Sequence, residues 1–277
     1  MDNYRIRKIK DKFMSSLIWL SLLIALIPLF SILLEVTLKG IYYINIDFII
    51  KPLPTVGEEC GGIANAIQGT LITIGLALII GAPLGIMSGV FLSEFSNVKI
   101  ISVIGFLNDV LSSFPSIVIG IFSYTLIVRS IGFSVIAAAF ALAIIVIPIV
   151  TRTTEDSLKL IPSTIREAAL ALGIPKWKTI IYITLRGAKK GIVTGILLSI
   201  ARIAGESAPI LVTMGYWRWW FAGLDKPASN LALNIYLFSM SPFENWRNIA
   251  WGSSLFLIIL ILGINIIVRI FTREKYK

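Results

Sequence analysis

Uninterrupted apolar runs, the first of them from Phe13 to Leu34 and without a single charged residue, decide what this chain can fold into. A run of that length cannot be buried in an ordinary globular core, and about 20 such residues are what an α-helix needs to cross the hydrocarbon of a bilayer. Five more runs follow, giving six expected spans at 13–34, 66–92, 103–128, 132–151, 188–212 and 249–271. Composition agrees: 14% of residues are charged, against about 25% in a soluble domain. The expected class is therefore an all-α integral membrane protein. The first run follows a basic stretch, as a signal peptide would. It is longer than a signal core and lacks a small-x-small cleavage site, so it reads as a span.

The net charge of +10 is distributed by side of the membrane rather than on one soluble face, which argues against nucleic acid as a partner. One set of loops holds 18 Lys and Arg: five at the amino terminus, Lys99, eight between Arg152 and Lys190, and four from Arg269 to Lys277. The opposite set holds six: Lys39, Lys51, Arg129, Arg218, Lys226 and Arg247. Cytoplasmic loops carry the excess of Lys and Arg, so both termini and the 152–187 loop are expected in the cytoplasm. Residues 35–65 and 213–248 are then the large outer loops. The chain has no histidine and one cysteine, Cys60, which excludes a disulfide framework, a His-based triad and a His/Cys metal site. Cys60 receives no role.

Gly81-Gly85-Gly89 and Gly187-Gly191-Gly195 are small-xxx-small runs that let helices approach closely. Pro83, Pro115, Pro148 and Pro209 fall inside or near the ends of spans, where neighbouring groups must satisfy the freed backbone.

The 152–187 loop has its own helical signals. Thr164 and Glu167 stand at capping-box spacing, Gly173 suits a left-handed stop, and Pro175 forbids continuation. The spacing predicts a helix over 165–172 with Ile165, Ala168, Ala169 and Leu172 on one face. A second amphipathic stretch follows, with Trp177, Ile180, Ile181 and Leu185 on one side. So short a helix is marginal alone and needs its own bundle, the headgroups or a partner to hold it.

In the fifth span Arg202 and Glu206 stand four residues apart, hence as neighbours on one helix face. Intramembrane charges face a bundle interior or an aqueous cavity and pair. Such a pair either ties helices together or, with guanidinium donors left over, presents a planar fork that fits an oxyanion. Asp109 reads first as an interfacial residue. Tyr216, Trp217, Trp219, Trp220 and Phe221 read as an aromatic belt, or as part of a docking platform for a solute-binding protein.

Glu167-Ala168-Ala169, then Gly173, then Ile183-Thr184-Leu185 resembles the EAA loop of ABC-importer permeases, by which a membrane subunit engages its ATPase. Gly61-Gly62-Ile63, Ile67-Gln68-Gly69-Thr70, Ala82-Pro83-Leu84-Gly85, Phe114-Pro115-Ser116, Ala201-Arg202 with Gly205-Glu206 and Ala208-Pro209, and Ser241-Pro242-Phe243-Glu244 resemble the PstA family of phosphate-importer permeases. The likeness runs from about residue 40 to 271. It departs at Arg186 and Lys190, where the family commonly has proline, so it does not imply the geometry of the entry into the fifth span.

The resemblance implies the type I ABC importer (MetI-like) permease fold with six transmembrane helices. Residues 1–65 would form the cytoplasmic amino-terminal segment, first helix and outer loop, 66–271 the permease domain, and 272–277 a tail. It implies Glu167, Ala168, Ala169 and Gly173 as ATPase-coupling residues and Arg202 and Glu206 in the substrate pathway. Its partners would be a PstC-like permease subunit, a PstB-like ATPase dimer, a PstS-like phosphate-binding protein and membrane lipid. No cofactor, metal or catalytic residue is implied. With no G-x-x-x-x-G-K-[ST] phosphate loop in the chain, nucleotide chemistry belongs to another subunit. A permease for sulfate, molybdate or a phosphonate, a gradient-driven carrier and a membrane-embedded enzyme are the rival readings.

Overall fold

The computed structural model describes residues 2–55, 58, 61–95 and 100–272, and all regular structure among them is helical. Cys60, Lys99, Arg273, Lys275 and Lys277 lie outside the described residues. The helices are α1 (Asp2–Gly40), α2 (Ile46–Ile50), α3 (Ala64–Glu94), α4 (Ile100–Ser113) and α5 (Ser116–Ser123). A π turn, Tyr124–Val128, carries α5 into α6 (Arg129–Ile131). Next come α7 (Val135–Lys159), α8 (Ser163–Ala171) and α9 (Lys176–Thr179), then a second π turn at Ile180–Thr184. Helices α10 (Leu185–Ala204), α11 (Ala208–Thr213), α12 (Leu231–Ser239) and α13 (Glu244–Thr272) complete the chain.

Helices α1, α3, α7 and α13 are each long and apolar enough to cross a membrane. The pair formed by α4 and the α5–α6 segment makes a fifth span when taken together, but it turns through 102°. The continuous helix expected over 103–128 is thus broken at Phe114–Pro115. Proline has no N–H and its ring clashes with the carbonyl four residues back, so α4 stops at Ser113 and a new helix starts when the Val118 N–H bonds to the Pro115 carbonyl at 3.0 Å. The same cause divides the expected 188–212 span. α10 ends at Ala204, Pro209 sits in the first turn of α11, and Gly205, Glu206 and Ser207 form the break. Pro83 and Pro148 are absorbed without interruption in α3 and α7.

Helix α7 is the centre of the bundle. Ala138, Leu142, Val146 and Val150 are fully buried, and both glycine runs face this helix. A Cβ on Gly81, Gly85 or Gly89 would collide with Val146, Val150 or Thr154, and one on Gly191 or Gly195 with Ser157 or Thr153. The missing side chains let α3 and α10 lie directly on α7, where packing rather than water expulsion drives association. Ser123 adds a cross-helix bond, its hydroxyl donating to the Ala137 carbonyl at 2.7 Å. By contrast, α1 is exposed along its whole apolar window and meets α13 closely at Gly40, beside Trp251 and Leu255.

Candidate functional site

Two regions of the chain combine irregular backbone with polar or charged groups, the α7–α10 connection and the pair of helix breaks. The connection begins at Pro162, which caps α8 by its backbone conformation; no side chain bonds the first turn. The expected capping box between Thr164 and Glu167 is therefore not formed, because proline already fixes the entry angle. The helix end matches expectation. Gly173 has φ +75°, its N–H bonds to Leu170 O at 2.9 Å, and the Ile174 N–H reaches Ala169 O at 3.1 Å. These are the two bonds of a Schellman stop.

Of the four residues expected on the apolar face of α8, only Ala169 is buried. Ile165 and Leu172 are exposed, Leu172 by 80%, so the face is turned outward instead of into the bundle. Glu167, Ala168 and Gly173 are also exposed. The second stretch differs from expectation: Thr179, Ile180 and Thr184 are buried, while Trp177, Ile181 and Tyr182 are exposed. The π turn at Ile180–Thr184 widens the helix there and rotates the faces away from the 3.6-residue register. Backbone then runs straight into α10 with Arg186 in its first turn, packed over the Tyr182 ring at 5.6 Å. No proline is needed at that entry.

Sequence periodicity gave no hint of what holds α8. Arg166 donates from Nε to both carboxylate oxygens of Glu94 at 2.9 and 3.2 Å, from Nη1 to Ile161 O at 2.8 Å and from Nη2 to Leu158 O at 2.9 Å. Lys176 donates to Glu94 O at 2.9 Å and covers the Phe95 ring at 4.2 Å. These partners lie 72 and 82 residues away in sequence.

In the breaks, Arg202 Nε stands 3.7 Å from Glu206 Oε1. The expected neighbours are adjacent, but not on one continuous helix: Arg202 is in the last turn of α10 and Glu206 lies in the break. The Arg202 side chain is half exposed and Glu206 is mostly covered. The segments beyond the two breaks pack on each other, since a Cβ at Gly120 of α5 would touch Pro209 of α11. At the α4–α5 break, against α7 and the end of α10, a cavity of about 20 Å³ is lined by Ser112, Phe114, Ser116, Pro148 and Arg202. That is room for about one water, not for an oxyanion of several heavy atoms. Asp109 is exposed on α4 and does not line it.

The 214–230 loop is bound into the bundle by polar side chains of α3, of which Asn65 and Thr70 are buried and Gln68 half-buried. Asn65 donates to the carbonyls of Arg218 and Trp219 and accepts from Leu53 N–H at 3.2 Å. Gln68 accepts from Phe221 N–H at 3.3 Å and Thr70 from Leu231 N–H at 2.9 Å. The backbone N–H groups of Val135 and Ile136 bond to Lys226 O and Leu224 O, both at 3.1 Å. Trp219 and Trp220 remain exposed, with Arg218 over Trp219 at 4.6 Å. Burial raises the Tyr216 phenol, and the Arg218 charge partly offsets this. Glu58 is held below the ordinary carboxylate value by hydrogen bonds from Thr55, first from its backbone.

Residues 81–273 match the family model described as "Binding-protein-dependent transport system inner membrane component". Over 277 residues the chain is 42% identical to the phosphate transport system permease protein PstA of Pasteurella multocida, covering 99% of each. The protein of that name from Yersinia pestis is 43% identical, with 98% of this chain and 92% of the relative covered. The one from Mycobacterium leprae is 40% identical, with 94% and 88% covered. Among solved structures, an inward-facing MetNI methionine ABC transporter chain superposes with a TM-score of 0.61 at 20% identity, over 76% of this chain and 95% of that one. That likeness establishes the shared permease fold. The chain belongs to the binding-protein-dependent inner membrane components, within the family of PstA permease proteins, and is a multi-pass membrane protein.

Proposed function

We propose that this chain is the membrane-spanning permease subunit of an ATP-driven importer of inorganic phosphate. The observation that carries the reading is similarity over nearly the whole length to proteins named as phosphate transport permeases. In this reading residues 66–271 form the translocation unit. It pairs with a PstC-like permease, two copies of a PstB-like ATPase and a PstS-like phosphate-binding protein, with both termini in the cytoplasm. The chain hydrolyses no ATP itself, having no phosphate loop. Helix α8 docks into the ATPase through Glu167, Ala168, Ala169 and the Gly173 stop, and its outward apolar side chains support that role. ATP binding closes the ATPase dimer, carries the docked helices together and opens the pathway outward.

Arg202 serves the anion pathway and Glu206 lowers the cost of holding it in the bilayer. Irregular backbone at membrane depth is tolerated where it lines a water-filled cavity, and the two breaks beside Arg202 support a pathway there. The cavity of about 20 Å³ fits a closed state that must widen before phosphate passes.

The test is reconstitution with the three partners in vesicles and measurement of phosphate uptake on ATP hydrolysis. Uptake should survive collapse of ion gradients; uptake that follows the gradients instead would assign a secondary carrier. Arg202→Gln should abolish uptake in assembled complexes, and Lys should restore little, because a point charge does not reproduce the fork. If Arg202 and Glu206 were only a structural pair, replacing both by glutamine would be near neutral, while replacing either one alone would lower assembly. Near-normal uptake by the assembled double variant would remove Arg202 from the pathway.

A further inference from the structure

Three helix ends meet at one guanidinium. α3 ends at Glu94 and α7 at Lys159, and α8 starts at Ser163. Every helix end leaves carbonyls that no later turn of the same helix can satisfy. Leu158 O, in the last turn of α7, is one, and Arg166 of α8 bonds it at 2.9 Å. The same side chain holds Ile161 O at the turn and grips the Glu94 carboxylate, with Nη2 also 2.8 Å from Oε1. The pair is well covered, with 6% of the Glu94 side chain and 22% of Arg166 exposed. It is therefore less screened than a surface ion pair. Lys176 closes the far side by bonding Glu94 O, in the last turn of α3. Positive charge at two helix carboxyl ends is also the favourable sense of the helix dipole.

The other exit of the loop is held in a different way. Past α9 the chain continues without a gap through the π turn into α10, and Thr179, Ile180, Thr184 and Ala188 are buried along the way. The loop is thus held by polar bonds on the side of α3 and α7 and by continuous helix and packing on the side of α10.

We propose that Arg166, acting through Glu94, is the positioning residue that makes α8 one rigid body with the cytoplasmic ends of α3 and α7. A displacement of α8 then enters the bundle through the α3–α7 pair. Arg166 itself points away from the exposed face that a partner would touch. The inference rests on the ATP-driven import reading for its functional consequence, but its structural half stands apart from that reading.

The test uses the full chain in lipid nanodiscs, and the same chain assembled with its partners in vesicles. In Arg166→Gln and Glu94→Gln, hydrogen exchange at the Schellman amides of α8, Leu172 to Ile174, should speed up by about tenfold. The middle of α3 should be unchanged. In assembled complexes ATP hydrolysis should continue while phosphate moved per ATP falls about fivefold or more, a factor of ten corresponding to about 1.4 kcal/mol. Arg166→Lys should recover part of the loss, since it keeps the charge toward Glu94 but not the fork to the two carbonyls. Unaltered exchange in both variants would overturn the proposal. So would a lower yield of complexes whose phosphate-to-ATP ratio is normal, which would leave the junction a role in assembly alone. If the unmodified complex imports no phosphate, the import reading fails, while the exchange measurement still decides the junction.

Discussion

The two ends of the bundle treat their loops in opposite ways. At one end, the outer one in the proposed topology, segment 214–230 is held by buried polar side chains of α3 and by backbone bonds to the start of α7, and Met214, Ala228 and Leu231 are buried. At the other, the inner one in the proposed topology, α8, α9 and the π turn leave Ile165, Leu170, Leu172, Trp177 and Tyr182 exposed, and α8 and α9 are tethered by Arg166 and Lys176 alone among the described contacts that cross to α3. A loop that must keep its shape against a docking protein can be built into the core. A loop that must move with a partner keeps its apolar surface for that partner and touches its own bundle at few points. In the proposed reading, exposure at the inner end is selective: the residues facing out are those a docking cleft can cover, whereas Arg166 is turned inward onto Glu94.

The comparison breaks most sharply at Gly69. A Cβ there would stand 1.9 Å from Ser229 O, so Gly69→Val should prevent the outer segment from seating and leave almost no folded protein, read as monodisperse yield in detergent. A folded Gly69→Val variant with near-normal melting would mean that the outer loop is not fixed. Next is Asn65→Leu, which strands the Leu53 N–H and the Arg218 and Trp219 carbonyls. Each buried unsatisfied group costs about 1–3 kcal/mol, so thermal melting should drop by several degrees and proteolysis should enter 214–230 first.

At the inner end the expected effect on stability is smaller and the effect on partnership larger. Leu172→Ser, and Ala168 replaced by a bulky residue, should change stability by less than about 0.5 kcal/mol, as exposed positions do. Co-purification with the ATPase subunit should nevertheless fall. Glu167→Lys belongs with them. Undiminished association in all three variants would sink the docking role. The smallest effect is at Glu58. Its lowered carboxyl value means that its contribution is present above the ordinary value of 4.5 and fades as the pH falls through the folded value. Glu58→Gln should therefore melt like the unmodified chain in acid and differ slightly near neutrality; a difference that grows on acidification would reverse the sign.

Much of the frame was legible from apolar runs, because a span is a local property of about 20 residues. The glycine runs were legible as seams for the same reason, though not that both seams face α7. The breaks at Pro115 and Pro209 were not, since Pro83 and Pro148 sit in equally apolar surroundings and leave their helices whole. What separates them is packing, which a sequence does not display. At the loop, Gly173 announced the stop correctly, whereas Thr164 and Glu167 matched a capping pattern that Pro162 had already made unnecessary. The face of the stretch after α8 was misread because periodicity assumes a 3.6-residue turn, which the π turn at Ile180–Thr184 breaks, whereas for α8 the sequence left open what its apolar face meets. Asn65, Gln68, Glu94 and Arg166 carried no local signal. Each has a partner at least 70 residues away in sequence.

The central place of α7 has a consequence for biogenesis. The chain is inserted from its amino terminus, and α3 emerges well before the helix that covers its glycine face. Until Lys159 has left the ribosome, Gly81, Gly85 and Gly89 present bare backbone to lipid or to the insertion machinery. α4 and α5, synthesised in between, must stand aside rather than fill that seam. Only the arrival of α7 gives α3 its partner, and only then can α10 close from the other side. Truncated chains that stop before residue 135 should therefore be retained by the insertion machinery or degraded, while those that extend past α10 should be released as a protease-resistant bundle.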